Sequence, residues 1–291
     1  MELRSHPSIR EDLLPMKVDL HCHSNVSDGV LPPALVAAHA RKGGVDVWAL
    51  TDHDEVGGTA AARAAAAEQG MRFVAGVEIS ITWGGETVHI VGLQIDETDA
   101  TLAQGLEVTR SGRDARGREI GAQLAKAGIP GAYEGAMSYV DNPALMSRTH
   151  FARFLVQEGY CANIPEVFRK YLSEGKPGYV PHRWASLQEA VGWIRGAGGV
   201  AVIAHPGRYR FTPIQQGALF DEFKQLGGAA IEVVTGSHTP DQYAVYAQLA
   251  NAYGFLASRG TDFHAPGEAR VDFAALPPLP GNVTPVWHDW F

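Results

Sequence analysis

"SLQEAVGWIRGAGGVAVIAHPG", residues 186–207, decides the fold. It reads as a helix that passes through a glycine-rich turn into a short apolar strand, and the strand ends on a histidine. The same unit recurs on both sides. Downstream, "ALFDEFKQLGG" and "AAIEVVTG" form one helix and strand, and "PDQYAVYAQLANAYG" and "FLASRGTDFH" form the next. Upstream, "KVDLH" is a strand, "PPALVAAHARKG" a helix with proline at its start, "VDVWALTDHD" a strand, and "TAAARAAAAEQG" an alanine-rich helix. "RFVAGVEIS" and "TVHIVGLQI" are two further strands. Strands alternating with helices of this length favour parallel pairing through βαβ units, hence a barrel or a doubly wound sheet.

The rhythm breaks over about residues 100–180. "TLAQGLEVTRSGRDARGREIGAQLAKAG" reads as one long amphipathic helix, and "RTHFARFLVQEG" and "PEVFRKYLSEG" as shorter ones, with no convincing strand among them. Residues 100–180 are therefore expected to form a helical insertion capping an α/β body made of 16–99 and 181–291. Residues 1–15, "MELRSHPSIREDLLP", lack an apolar signal-peptide core, and Met16 is the more natural start, so 1–15 are set aside as a leader or upstream start.

The 291 residues can bury a substantial core, and 45% hydrophobic against 19% charged residues marks a globular chain. No stretch approaches the ~20 apolar residues of a membrane span. The two cysteines, Cys22 and Cys161, are too few for a disulfide framework and suit a reducing cytoplasm. A net charge of -8 argues against an extended nucleic-acid track, while leaving a small anionic substrate open. Nothing in the sequence sets the oligomeric state.

Five strands end in groups able to hold a metal: His21 and His23; Asp52, His53 and Asp54; Glu78; His205; Asp262 and His264. In parallel α/β folds the C-terminal strand ends open onto one face, where active sites collect. Singly, each is an ordinary polar residue at a strand end; five coincident ends point to one site. His21 and His23 share a side of an extended strand and can clasp one ion, with Cys22 turned away. Asp28 sits in a turn, where an Asx-turn role competes. Glu78 follows a largely apolar run, and its burial calls for a cation nearby.

With "DLHCHS", "TDHD", "GVEIS", "AHPG" and "GTDFH" in this order, the chain resembles the PHP (polymerase and histidinol phosphatase) domain family over most of residues 17–275. The resemblance implies a distorted (β/α)7 barrel, here with the helical insertion, and a trinuclear metal cluster at the C-terminal ends of its strands. It further implies that His21, His23, Glu78 and Asp262 surround one metal. Glu78 bridges to a second metal completed by His89 and His205, and Asp28, His53 and His264 hold the third. "RTHFARFLV", "GYVPH" and "AHPGRY" resemble a branch of 3',5'-nucleoside bisphosphate phosphatases, some of them 5'-to-3' exoribonucleases on short RNA.

Three divalent ions lower the pKa of a bridging water and polarise phosphoryl oxygens, so hydroxide is expected to attack phosphorus directly. No G-x-S-x-G elbow offers a covalent alternative. Oxygen and imidazole donors without thiolate suit Mn2+, with Zn2+ or Fe2+ also compatible. Arg148 and Arg208 are the expected phosphate clamps and Lys176 a weaker one, against the alternative of ordinary surface ion pairs. His238 is the candidate acid for the leaving alkoxide. His150 and His182 are lesser candidates, and Tyr179 or Phe151 is a candidate to stack on a base, against the commoner role of a helix aromatic as core. Competing readings are a histidinol-phosphate phosphatase, a DNA exonuclease, and a non-catalytic PHP module.

Overall fold

The computed structural model describes residues 16–140, 142–268 and 270–291, so the leader expected at 1–15 lies outside the described residues. Seven strands form one sheet in chain order: β1 (Val18–Asp19), β2 (Val47–Leu50), β3 (Arg72–Trp83), β4 (Glu86–Leu93), β5 (Val200–Ile203), β6 (Ala230–Thr235) and β7 (Leu256–Gly260). The outer strands meet through their continuations. Leu20 N–H donates to the Arg259 carbonyl at 3.0 Å, Asp262 N–H to that of His21 at 2.8 Å, and His23 N–H to that of Phe263 at 2.8 Å. The sheet thus approaches closure as an α/β barrel.

One strand departs from the expected parallel pairing. β4 runs antiparallel to both β3 and β5, because only Gly84 and Gly85 separate it from β3. A parallel crossover needs about a dozen residues or more. Both glycines have positive φ, 59° and 86°, as a two-residue hairpin turn demands.

Ten helices accompany the strands among the described residues: α1 (Pro33–Lys42), α2 (Thr59–Glu68), α3 (Ala100–Arg110), α4 (Arg113–Lys126), α5 (Ala132–Met137), α6 (Arg148–Gln157), α7 (Ile164–Val167), α8 (Leu187–Gly196), α9 (Pro213–Gln225) and α10 (Pro240–Tyr253). Val18, Leu20, Val47, Val74, Val91, Leu93 and Val202 form one buried apolar cluster across the strands, and Val286 joins it from the C-terminal segment. A larger cluster packs β3–β6 against α3, α8, α9 and α10; another packs α1 and α2 against β2.

The long helix expected over 101–128 is two helices, broken at Ser111–Gly112, both poor helix formers. The break separates two environments. Leu102 and Leu106 of α3 join the cluster of Leu187, Val191 and Ile194, and Gly105 admits the ring of Trp193, which a Cβ would meet at 2.5 Å. Ile120 and Leu124 of α4 instead join Phe151, Leu155, Val167 and Leu172 in a separate cap cluster. Within the stretch expected as an insertion, α3 thus packs with the barrel's apolar cluster and α4 with a cluster of its own. No strand lies within 100–180 among the described residues, and none of their helices is long and apolar enough to cross a membrane.

Leu155 is fully buried in the cap cluster. Leu155→Ala is expected to lower the unfolding free energy by about 2–5 kcal/mol, read from the shift in urea midpoint.

Candidate metal centre

The rim of the barrel receives its polar side chains where the strands give out. His21 and His23 follow β1, His53 follows β2, His205 follows β5, and Asp262 and His264 follow β7. The backbone leaves extended geometry at these points: φ is positive at Asp54 (51°), His205 (28°) and Asp262 (55°), conformations that non-glycine residues adopt at an energetic cost and that cluster at functional sites. Glu78 lies within β3 and is completely buried. His89 reaches the same rim because β4 is antiparallel: opposite Ser80 in the register, it sits near the start of a strand whose start lies where its neighbours end.

Four overlapping groups of donors result: His23, Asp28, His53 and His264; His21, His23 and Asp262; His21, Glu78 and His205; and His53, Glu78 and His89, with the donor atoms of each group within 4.8 Å of one another. Together they contain all nine residues named above. They share donors more widely than the expected partition, because His21 stands with Glu78 and His205, whereas His89 stands with His53 and Glu78. Glu78 Oε1 is 3.0 Å from His89 Nδ1 and 3.1 Å from His205 Nε2, and its Oε2 is 2.9 Å from His53 Nδ1.

Protein groups alone leave this cluster unsatisfied. His23 Nδ1 and Asp28 Oδ1 are buried without a hydrogen-bond partner, and His53 Nδ1 and Glu78 Oε2, although 2.9 Å apart, do not form a hydrogen bond, a condition that calls for an ion or water. The charges agree. Burial opposes ionisation of Asp28, Glu78 and Asp262, yet the surrounding histidines hold all three carboxyls well below their ordinary range. Burial likewise opposes protonation of His23, but Asp262, Glu78 and Asp28 raise it to about 10. His205 goes the other way, to about 3, through burial and then the nearby Arg208. Three ionised carboxylates with imidazoles form an oxygen and nitrogen donor set that fits hard or borderline divalent cations. Cys22 takes no part: its Sγ receives a hydrogen bond from Trp48 Nε1 at 3.0 Å and faces the α1–α2 layer.

Outer contacts fix the donors. Glu232, on β6 and read from the sequence only as part of a strand, accepts from His21 Nδ1 at 2.8 Å and from His205 N–H at 2.6 Å. The carboxylate partner assigns the hydrogen of His21 to Nδ1 and leaves Nε2 for a cation. Tyr209 Oη accepts from His89 N–H at 2.9 Å and lies 3.2 Å from His205 Nδ1. Ser237 Oγ–H donates to Asp262 Oδ2 at 2.7 Å, and Ser147 Oγ–H to Asp28 Oδ2 at 3.0 Å. A lone carboxylate inside the apolar run "AAIEVVTG" was the signal available for Glu232.

A cavity of about 950 Å³ joins the cluster to the cap, and Arg148, Lys176 and Arg208 line it. So do Arg113 and Arg116 of α4, which the sequence reading passed over; both guanidiniums lie over the Trp184 ring, at 4.6 and 5.3 Å. Arg113 is paired with Asp54 and Arg208 with Asp262, but no carboxylate pairs with Arg116 or Arg148 among the described residues. Their three-residue spacing on an amphipathic helix was the legible sign of Arg113 and Arg116.

The remaining expected residues fall elsewhere. His238 is not available as a general acid: its Nε2 accepts from Gly207 N–H at 2.9 Å, its Nδ1–H donates to the Val233 carbonyl at 3.1 Å, and burial lowers its pKa to about 4. It braces the loop after His205 instead. His150 caps α6, accepting from Ser147 N–H at 3.0 Å, and burial takes it to about 4. His182 packs edge-on against Trp184, Phe151 is cap core, and neither these two nor Tyr179 line the cavity.

Comparison with known proteins agrees with this geometry. The chain is 51% identical to a 3',5'-nucleoside bisphosphate phosphatase of Chromobacterium violaceum, covering 94% of this chain and 95% of that one. It is 41% identical to a 5'-3' exoribonuclease of Haemophilus influenzae, over 93% and 98%. The solved structure of an amidohydrolase from Chromobacterium violaceum, with bound sulfate and no metal, superposes with a TM-score of 0.91 at 51% identity, covering 94% and 95%. The model of the PHP domain matches residues 19–236, the span that carries β1 through β6 and seven of the nine clustered donors, and the chain belongs to the PHP domain family.

Proposed function

We propose that the chain is a metal-dependent phosphoesterase that removes the 3'-phosphate of nucleoside 3',5'-bisphosphates, as the name of its Chromobacterium relative suggests. One observation carries the reading: a single cavity is lined both by members of the histidine–carboxylate cluster and by Arg116 and Arg148, which meet no carboxylate among the described residues. A substrate with two phosphates matches a cavity that offers both kinds of group. His21, His23, Asp28, His53, Glu78, His89, His205, Asp262 and His264 would hold three ions, for which the nitrogen and oxygen donors favour manganese. Bound divalent ions supply activation of a water near neutral pH and neutralisation of charge on phosphoryl oxygens.

The chain's own groups do the rest. Arg148 and Arg116, with Lys176 in the same cavity, bind the phosphate that is not cleaved and so orient the ester to be broken. Ser147 and Ser237, two hydroxyls in the cavity wall, are committed to Asp28 and Asp262, which favours water over a side chain as nucleophile. The same cavity serves a second reading, stepwise release of nucleotides from short RNA 5' ends. A terminal 5'-phosphate at the arginines would present the next phosphodiester where the bisphosphate presents its 3'-phosphate. The exoribonuclease name of the Haemophilus relative favours it. Both cysteines are buried and free, in keeping with a cytoplasmic enzyme.

With Mn2+ added, phosphate release is expected from adenosine 3',5'-bisphosphate and not from AMP, and mononucleotide release from a 5'-phosphorylated oligoribonucleotide. Rapid release from histidinol phosphate with none from the bisphosphate would overturn the assignment. Arg148→Ala is expected to raise KM for the bisphosphate about 10- to 100-fold, from the 1.5–3 kcal/mol typical of a charged hydrogen bond, with a smaller change in kcat. Glu232→Gln sets an amide NH2 against either His21 Nδ1–H or His205 N–H, both of them donors to the carboxylate, and is expected to weaken Mn2+ binding about 10- to 100-fold, measured by competition with a fluorescent chelator.

A further inference from the structure

We infer that cap helix α6 is part of the metal centre's architecture, with Arg153 as a positioning residue for the cation site of Asp28, His53 and His264. The inference rests on the ligand reading proposed above. Arg153 is 7% exposed, and the hydrogen bonds of its guanidinium go to a backbone carbonyl and to Glu268 rather than to the side chain of any of the nine donors. Its guanidinium instead joins the two loops that deliver two of them. Nη1 donates to the Asp28 carbonyl at 2.6 Å, while Nε and Nη2 donate as a fork to Glu268 Oε1 and Oε2, each at 2.9 Å. Glu268 lies four residues after His264, in a turn closed by Glu268 N–H on the Ala265 carbonyl at 3.2 Å. One side chain thereby spans the Asp28 loop and the His264 loop.

A second contact from the same helix acts on the carboxylate itself. Ser147, the N-cap of α6, donates to Asp28 Oδ2 and leaves Oδ1 without a hydrogen bond, 3.3 Å from His264 Nε2 and 3.9 Å from His53 Nε2. α6 thus holds Asp28 at its carbonyl and at one carboxylate oxygen, and turns the other oxygen toward the cluster. The opposite side of that loop is held from the barrel, where Asp52 accepts from Ser24 N–H at 2.8 Å and from Ser27 Oγ at 2.6 Å. The helix is a rigid support for this, because Phe151, Ala152 and Leu155 anchor its other face in the cap cluster. A planar guanidinium reaches a carbonyl and a carboxylate at once, which a lysine ammonium on a flexible stem does not reproduce.

The test uses the full-length protein stripped of metal by chelation and titrated with Mn2+, counting bound ions by equilibrium dialysis and elemental analysis. Arg153→Ala is expected to weaken one ion by about tenfold or more, the range for loss of an outer contact to a ligand. The other ions keep wild-type affinity and the metal-free protein its melting temperature. Arg153→Lys should fall between the two. Unchanged affinity for every ion, or weakening of all ions together with a lower metal-free melting temperature, would overturn the inference. If Arg153→Ala does not fold, Glu268→Gln decides, with selective weakening of one ion expected and unchanged binding overturning the proposal. His264→Ala separates the two levels: full metal content in that variant sinks the ligand reading itself, whereas loss of an ion there with none in Arg153→Ala sinks only the role of Arg153.

Discussion

Glu78 carries a charge in the middle of a barrel strand with no solvent around it, and every ion pair it makes is with a histidine. An isolated ionised carboxylate at such a depth is too costly to persist, and Asp28 and Asp262 add two more within the same cluster. The histidines ease this without ending it, since burial opposes their protonation as well, and atoms of both kinds are left without partners. A cation among these donors would resolve the conflict, and much of the surrounding structure is arranged around it. Strands end in unusual backbone conformations to aim the donors, Glu232 sets the proton on His21, and Ser147 and Ser237 each hold one oxygen of a ligand carboxylate so that the other faces the cluster.

The alternation of strands and helices and the convergence of polar strand ends were legible because both follow from local pattern, whereas closure into a barrel rather than an open sheet was implied only by the family resemblance. Apolar runs mark strands, and parallel strands bring their C-terminal ends together whatever the details of packing. What depended on ladder direction was less accessible. Periodicity reports which residues share a face, not which way the neighbouring strand runs, so β4 was expected to pair like the rest although "WGGE" carries a tight-turn signature. His89 was implied by the family resemblance without a motif of its own; its place at the rim follows from the reversal of its strand.

Roles set by distant partners were not legible. His238 lies past the end of a strand as an acid should, yet Gly207 and Val233 occupy both of its nitrogens. Glu232 meets His21 across 211 positions of sequence, and Arg153 meets Asp28 across 125; no local pattern announces such pairs. Charge misled in a subtler way. A net charge of -8 describes the whole surface, while the cavity lining collects Arg113, Arg116 and Arg148 from two helices, of which only Arg148 was expected there.

The extended run just past β1 has a chemical consequence of its own. His21, Cys22 and His23 are consecutive, and only their alternation decides which of them face the cluster. The register is pinned at Cys22, which bridges Phe263 on one side and accepts Thr51 N–H on the other. A slip by one residue would exchange two imidazoles for a single thiolate. The set would then offer one sulfur where two imidazole nitrogens now stand, a donor better suited to softer cations. The donor set of this barrel is in that sense a property of strand register, written into hydrogen bonds made away from the cluster.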